Sequence, residues 1–256
     1  MTGEPHARVA ARVPGAAALG LLAPPSVPSV PAALLADPGW TAERLTELAA
    51  RHGGGDRRTL ATVWWYSAST VLLTPSLAGL VTGRPLSARL ADTALSVLPG
   101  PRLLAATASA PGRDLAAELR EALAAVVATI AAVGGLRPRP LQAVAADALA
   151  ERLLTLGRAV GDEHRATALA APLAAAVGGM PVPGYVDVAG TRFVRRVSCC
   201  RLYRVPRPML CTACPRRPPA ERHALLAAAA GASGASAATS PAAAPPPAGA
   251  SRPPRR

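Results

Sequence analysis

Apolar residues recur along most of this chain at spacings of three and four, the mark of helices that bury one face. The clearest run spans Asp114 to Val133, where Leu115, Leu119, Leu123, Val126, Ile130 and Val133 share a face and Gly134-Gly135 ends the helix. A second helix begins near Pro140, a residue suited to a first turn, and turns Leu141, Val144, Ala148, Leu149, Leu153 and Leu156 inward. Upstream, Thr41 is expected to cap a helix reaching His52, which Gly53-Gly54-Gly55 stops. The apolar stretches Leu60–Leu73, stopped by Pro75, and Leu86–Leu98, stopped by Pro99-Gly100, read as two more helices, and Asp162–Val177 as a last one. Short Gly/Pro loops between them predict an all-α bundle for residues 40–178.

The pattern changes at Gly178. Tyr185 to Val197 holds two short β-type runs around Ala189-Gly190, which reads as a hairpin. The expected organisation is an Ala/Pro-rich leader, partly disordered, over 1–38; a helical domain over 39–180; a hairpin and cysteine-bearing segment over 181–218; and a low-complexity, disordered tail over 219–256 with room for one short helix, Ala220–Ala230. The fold class expected is therefore mainly α, with a small β-hairpin and loop segment after the bundle.

Charge narrows the function. The net charge is +13, with no Lys in the chain, and Arg192 to Arg217 holds eight Arg and no Asp or Glu. A focused basic patch suits nucleic acid, anionic membrane or acidic protein. Neither a recognition helix nor a set of stacking aromatics is legible, so nucleic acid is not the expected partner. The longest smooth apolar run, Leu123 to Gly135, is too short to cross a bilayer. Glu4, Pro14 and Pro24-Pro25 interrupt what resembles a signal peptide at the N-terminus, and a cytoplasmic protein is expected.

The candidate chemistry lies in four cysteines within sixteen residues: Cys199-Cys200, ten residues, then Cys211-Thr-Ala-Cys214-Pro215. Clustered this way they do not form a disulfide framework. Four thiolates in one segment suit a 2Fe–2S cluster or a single structural zinc. Neighbouring side chains of an extended strand point to opposite faces, so Cys199 and Cys200 reach one site only if the chain bends there or the site has two metal centres. Two irons fit that pair better than one zinc, whose ligand pairs are usually spaced by about two to four residues. Ser198 and Thr212 could donate hydrogen bonds to sulfur. His6, His52, His164 and His223 are scattered and expected at the surface. At least two of Trp64, Trp65 and Tyr66 are expected in the core, with the sharper alternative that they meet Tyr185, Phe193 and Tyr203 and shield the cysteines. No Gly-rich loop has a phosphate-binding pattern, so no flavin or nicotinamide site is expected.

The run Arg195-Arg196-Val-Ser-Cys199-Cys200-Arg-Leu-Tyr203-Arg204, with Leu210-Cys211-Thr-Ala-Cys214-Pro215, resembles the C-terminal motif of the FhuF-type ferric-siderophore reductases. The resemblance covers residues 192–217. It implies that Cys199, Cys200, Cys211 and Cys214 ligate a 2Fe–2S cluster, and that the protein is an oxidoreductase releasing iron from a ferric hydroxamate siderophore. With no nicotinamide site expected, a separate ferredoxin or flavodoxin would be the electron donor. Arg195, Arg196, Arg201, Arg204, Ser198 and Tyr203 are then candidates for docking partners or for hydrogen bonding around the cluster. A non-enzymatic electron carrier or iron sensor, and a zinc-stabilised interaction module, are the alternatives.

Overall fold

The computed structural model describes residues 3–206 and 210–238. Its helices are α1 (Glu4–Ala10), α2 (Pro38–His52), α3 (Arg57–Val81), α4 (Leu115–Gly134), α5 (Pro138–Ala159), α6 (Glu163–Ala168), α7 (Ala170–Val177) and α8 (Pro219–Ala238). The strands are β1 (Ser29–Pro31), β2 (Thr93–Val97), β3 (Leu103–Ala108), β4 (Gly184–Val188) and β5 (Thr191–Arg195). The chain is mainly helical with two small antiparallel sheets, β1-β2-β3 and β4-β5. Among the described residues no helix is long and apolar enough to cross a membrane.

Helices α3 and α5 form the centre of the core. From Leu141 to Ala150 nearly every α5 side chain is buried, and α3 buries Trp64, Trp65, Leu73 and Leu77. Each tryptophan satisfies its indole N–H inside the core: Trp64 donates to the Pro101 carbonyl at 3.0 Å and Trp65 to the Leu141 carbonyl at 2.9 Å. The two tryptophans are core residues, as expected, and Trp64 packs edge-to-face on Trp40.

Helix α4 runs as its spacing predicts, with the Asp114 carboxylate accepting from the Ala117 N–H and Gly135 closing the end in the left-handed region. Elsewhere local signals mislead. Asp37, not Thr41, caps α2: its carboxylate accepts from the Trp40 N–H, Pro38 opens the first turn, and Thr41 is buried in the helix. Pro75 does not stop α3. It withholds one N–H, yet the buried packing of residues 72–79 carries the helix through to Val81. The expected helix over 162–177 is two, α6 and α7, divided at Leu169; Pro172, in the first turn of α7, cannot donate back to Ala168.

The largest correction is at 86–98. The expected helix is absent; a 3-10 turn at Leu90–Asp92 leads into β2, which pairs with β1 on one side and β3 on the other. Leu95 sits opposite both Val30 and Ala106, so it is buried by partners from one distant segment and one nearby segment. The all-α reading of 40–178 therefore fails here, because non-local pairing overrides a spacing that suits a helix equally well.

Residues 3–38 are a built part of the body. Val9, Val13, Leu21, Ala32 and Leu35 enter the main core. His6, expected at the surface, is fully buried. Its Nε2–H donates to the Leu21 carbonyl at 2.7 Å and its Nδ1 accepts from the Ala108 N–H at 3.2 Å, which stitches the leader to β3. At the other end, α8 covers the first part of the expected tail; Leu226 and Ala230 are buried, and residues 239–256 lie outside the described residues.

Both ring nitrogens of His6 are used by the neutral imidazole, and a second proton would face the Ala108 N–H. Burial accordingly lowers the His6 pKa, against the Leu21 carbonyl, which raises it. The unfolded chain binds that proton more readily than the folded one. Stability should thus be full above the ordinary histidine value of about 6.5 and fall as the pH drops below it. Urea midpoints at pH 8 and pH 5 are expected to show that fall in the wild type and a smaller one in His6→Gln. The variant should lose roughly 1–2 kcal/mol at pH 8 from its broken buried hydrogen bonds. An identical pH dependence in both proteins would show that His6 is not the source.

Candidate metal centre

The cysteine segment is held to the body by one stripe of α5. Residues 147, 150, 154 and 158 recur at spacings of three and four, and all four touch the hairpin or its exit. Tyr185 of β4 donates its hydroxyl to the Ala150 carbonyl at 3.0 Å. Val194 of β5 packs against Ala150 and Leu154, and Arg158 donates to the Arg192 carbonyl. The hairpin turns at Ala189-Gly190, both with positive φ, as the expected two-residue turn requires.

Asp147 completes the stripe and is the residue that sequence reasoning missed. Its carboxylate is 3% exposed and accepts from the Val197 N–H and the Ser198 N–H, each at 2.9 Å, and from the Ser198 hydroxyl at 2.6 Å. The Arg196 Nε lies 3.4 Å away as its ion-pair partner. One signal for it existed: Asp147 is the only acidic residue between Leu141 and Ala150 of an apolar helix.

Arg196 is the hub between body and cysteines. Besides Asp147, its Nη1 donates to the Cys211 Sγ at 3.3 Å, and its guanidinium lies 4.6 Å from the centre of the Tyr66 ring on α3. Burial would lower the guanidinium's pKa. The nearby Tyr66, Cys211, Asp147 and Cys200 outweigh it and hold the charge firmly in place. Of the two aromatic groups, then, only Tyr66 of the α3 trio reaches the cysteine segment.

The bend that an adjacent cysteine pair demands occurs at Arg201. This residue is in the left-handed region, φ 62° and ψ 12°, which turns the chain immediately after Cys200 into a 3-10 turn at Leu202–Arg204. At this turn the backbone N–H groups of Arg201 and Leu202 favour the thiolates of Cys199 and Cys200. On the far side, the Cys214 N–H donates to the Cys211 carbonyl and the Arg217 N–H to the Cys214 carbonyl, each at 3.1 Å. The Arg217 side chain closes this turn, donating to the carbonyls of Cys211 at 3.1 Å and Leu210 at 3.0 Å and pairing with Glu221 of α8.

All four cysteines are free thiols; Cys200 and Cys214 are buried, Cys199 and Cys211 half-buried. The thiols perturb one another: Cys200 and Cys214 act on Cys199, and Cys200 and Cys214 on Cys211. The neighbouring Cys211, the Leu202 N–H and Arg196 lower the Cys200 pKa, while Cys200 and burial raise that of Cys211. Burial also raises Cys199, ahead of the opposing Arg201 N–H. Among the described residues no group of three or more His, Cys, Asp or Glu is disposed to hold one metal ion. The donor set still suits a two-centre group: four thiols, two from each half of the motif, with the buried Arg196 guanidinium donating to one sulfur.

The remaining candidates divide. Ser198 serves Asp147 rather than sulfur. Tyr203 lies between neighbouring guanidiniums, with Arg204 5.7 Å and Arg216 4.6 Å from its ring centre. Arg195 is exposed on β5 and Thr212 is exposed in the Cys211–Cys214 turn. Cavities lie elsewhere: one of about 500 Å³ is lined by Arg12, Thr82 and Arg165, another of about 340 Å³ by Arg89, Asp92 and Glu118. No family model, curated protein or solved structure matches this chain.

Two substitutions test this construction. Asp147→Ala leaves Arg196 as a buried, uncompensated charge and two N–H groups unpaired, at an expected cost of about 3–5 kcal/mol in urea unfolding. A loss under about 1 kcal/mol would mean that the segment does not depend on Asp147. Arg201→Gly relieves the left-handed backbone and is expected to leave the thermal midpoint equal or higher, whereas Arg201→Val should lower it.

Proposed function

We propose that Cys199, Cys200, Cys211 and Cys214 hold one 2Fe–2S cluster, and that the protein is a one-electron reductase acting on ferric hydroxamate siderophores in the cytoplasm. The observation that carries the first half is the meeting of the two motif halves at Arg196, which stands three residues before Cys199 and donates to the Cys211 Sγ at 3.3 Å. The thiols of the two halves also perturb one another. When bound, such a cluster supplies reversible one-electron chemistry and carries about −2 charge oxidised and −3 reduced.

The residues around it suit that charge. Arg196 donates to Cys211 from a buried position fixed by Asp147, and a fixed cation favours the more negative state. The N–H groups of Arg201 and Leu202 act in the same direction on Cys199 and Cys200. The substrate rests on the motif's resemblance to the FhuF-type reductases and on coordination chemistry. Hydroxamate oxygens are hard ligands that hold ferric iron far better than ferrous. In the reaction the ferric complex gains one electron and releases its iron, and a reduced ferredoxin or flavodoxin loses that electron.

Anaerobically purified protein is expected to be coloured, with about two irons and two acid-labile sulfides per chain. Cys200→Ser should abolish or strongly distort the visible spectrum. A colourless protein with one zinc and no iron overturns the cluster. Chemically reduced protein should also release ferrous iron from a ferric hydroxamate, trapped by a chromogenic chelator, faster than the reductant alone. Equal rates with a loaded protein overturn the reductase while leaving the cluster standing.

A further inference from the structure

Eight arginines lie between Arg192 and Arg217 with no carboxylate among them, and the fold divides them. Arg192 pairs with Asp187, Arg196 with Asp147, and Arg217 with Glu221. These three hold the hairpin, the cysteine segment and α8 in place. Among the described residues, Arg195, Arg201, Arg204 and Arg216 pair with no carboxylate, and Arg207 lies outside the described residues.

Three of the four unpaired cations belong to one place. Arg204 and Arg216 share the Tyr203 ring. Arg204 donates its backbone N–H to the Arg201 carbonyl at 2.8 Å, and both cations act on Asp56, whose carboxylate is committed to the N–H and hydroxyl of Thr59 at the start of α3. Arg201 follows the vicinal cysteines directly and Arg216 stands two residues after Cys214. The cations therefore flank the centre from both halves of the motif, and Cys199 and Cys211 are its half-exposed sulfurs.

Arg201 adds an independent observation. Its left-handed conformation costs about 1 kcal/mol in any residue with a Cβ and almost nothing in glycine. A glycine would make this bend more easily, so the backbone does not account for an arginine there. Its guanidinium, bound to no carboxylate, is the part left to explain. Nucleic acid is a poorer fit than protein, because base stacking needs an open aromatic face and two guanidiniums already lie against Tyr203.

We propose that Arg201, Arg204 and Arg216 form the docking face for an acidic electron-carrier protein beside the half-exposed Cys199 and Cys211. This rests on the electron-transfer reading above and identifies the surface through which that reading would operate. Arg195, exposed on β5, is not part of it.

The test uses the full chain and a plant-type ferredoxin, a strongly acidic carrier, immobilised on a biosensor at about 20 and 300 mM ionic strength. Wild type should associate fast at low salt and much more slowly at high salt. R204E/R216E should associate on the order of ten-fold more slowly at low salt, with the difference closing at high salt. R201G should lose roughly three-fold with an unimpaired thermal midpoint, and R195E less than two-fold. If R204E/R216E does not fold, R204Q/R216Q, which keeps planar groups against Tyr203, should still show a loss of about three-fold. The proposal is overturned if the double variant binds like wild type, if R195E is equally damaging, or if a single-stranded oligonucleotide binds more tightly than the ferredoxin. Normal variants in a protein whose iron and sulfide are present sink the docking face alone. Absence of iron and sulfide from the wild type sinks the electron-transfer reading, whatever the sensor shows.

Discussion

The entrance to the cysteine segment depends on one buried carboxylate. Asp147 sits among apolar neighbours on α5, where an unpaired charge would be costly, and it is made tolerable only by four donors from the hairpin exit. Those donors come from Arg196, Val197 and Ser198, the three residues immediately before Cys199. The requirement to satisfy Asp147 therefore sets where the chain stands as it enters the vicinal pair. Arg196 transmits the constraint further, since the same guanidinium that faces Asp147 also donates to Cys211, twelve residues beyond Cys199 in sequence. A desolvation penalty on one helix is thus converted into a position for both halves of the motif.

The parts of this arrangement legible in the sequence are those with local causes. The hairpin follows from alternation and a left-handed two-residue turn, and α4 from its apolar stripe, its Asp cap and its paired glycines. The cysteines are visible because nothing else places four thiols in sixteen residues. What the sequence concealed is non-local. β2 owes its strand conformation to β1 and β3, brought from 60 or more residues upstream and from just beyond the turn, respectively. His6 is read as a surface residue until Leu21 and Ala108 are known to meet its two nitrogens. Asp147 is the sharper case: one acidic residue in an apolar helix face marks a buried partnership, but its spacing says nothing about which cation and which N–H groups will answer it.

The arginines show the same division. Composition treats Arg192–Arg217 as one basic patch, whereas the fold assigns three of its guanidiniums to internal ion pairs. Net charge is still the right quantity for long-range attraction, because a paired arginine is cancelled by its partner and an unpaired one is not. Counting the unpaired cations alone shrinks the patch and moves it toward the cysteine loop, where Tyr203 gathers Arg204 and Arg216. The ring places two like charges near each other at a distance that water and the aromatic face make affordable.

The segment's order differs from that of a small domain folded by its metal, in which the binding free energy is the folding free energy. Here the entrance to the site is shaped by contacts that involve no metal: the Asp147 network, the Tyr185 bond to Ala150, and the left-handed turn at Arg201. The C-x-x-C half has a different support, since Arg217 ties it to α8 rather than to α5. Among the described side chains, Arg196 links the two halves through Cys211, and Arg216 links them again over the Tyr203 ring. A group bound by all four cysteines would therefore join a half anchored on the helical body to a half anchored on α8. The tightening it produces should fall mainly on the Cys211–Cys214 turn and α8, because the Cys199–Cys200 side already has its donors paired.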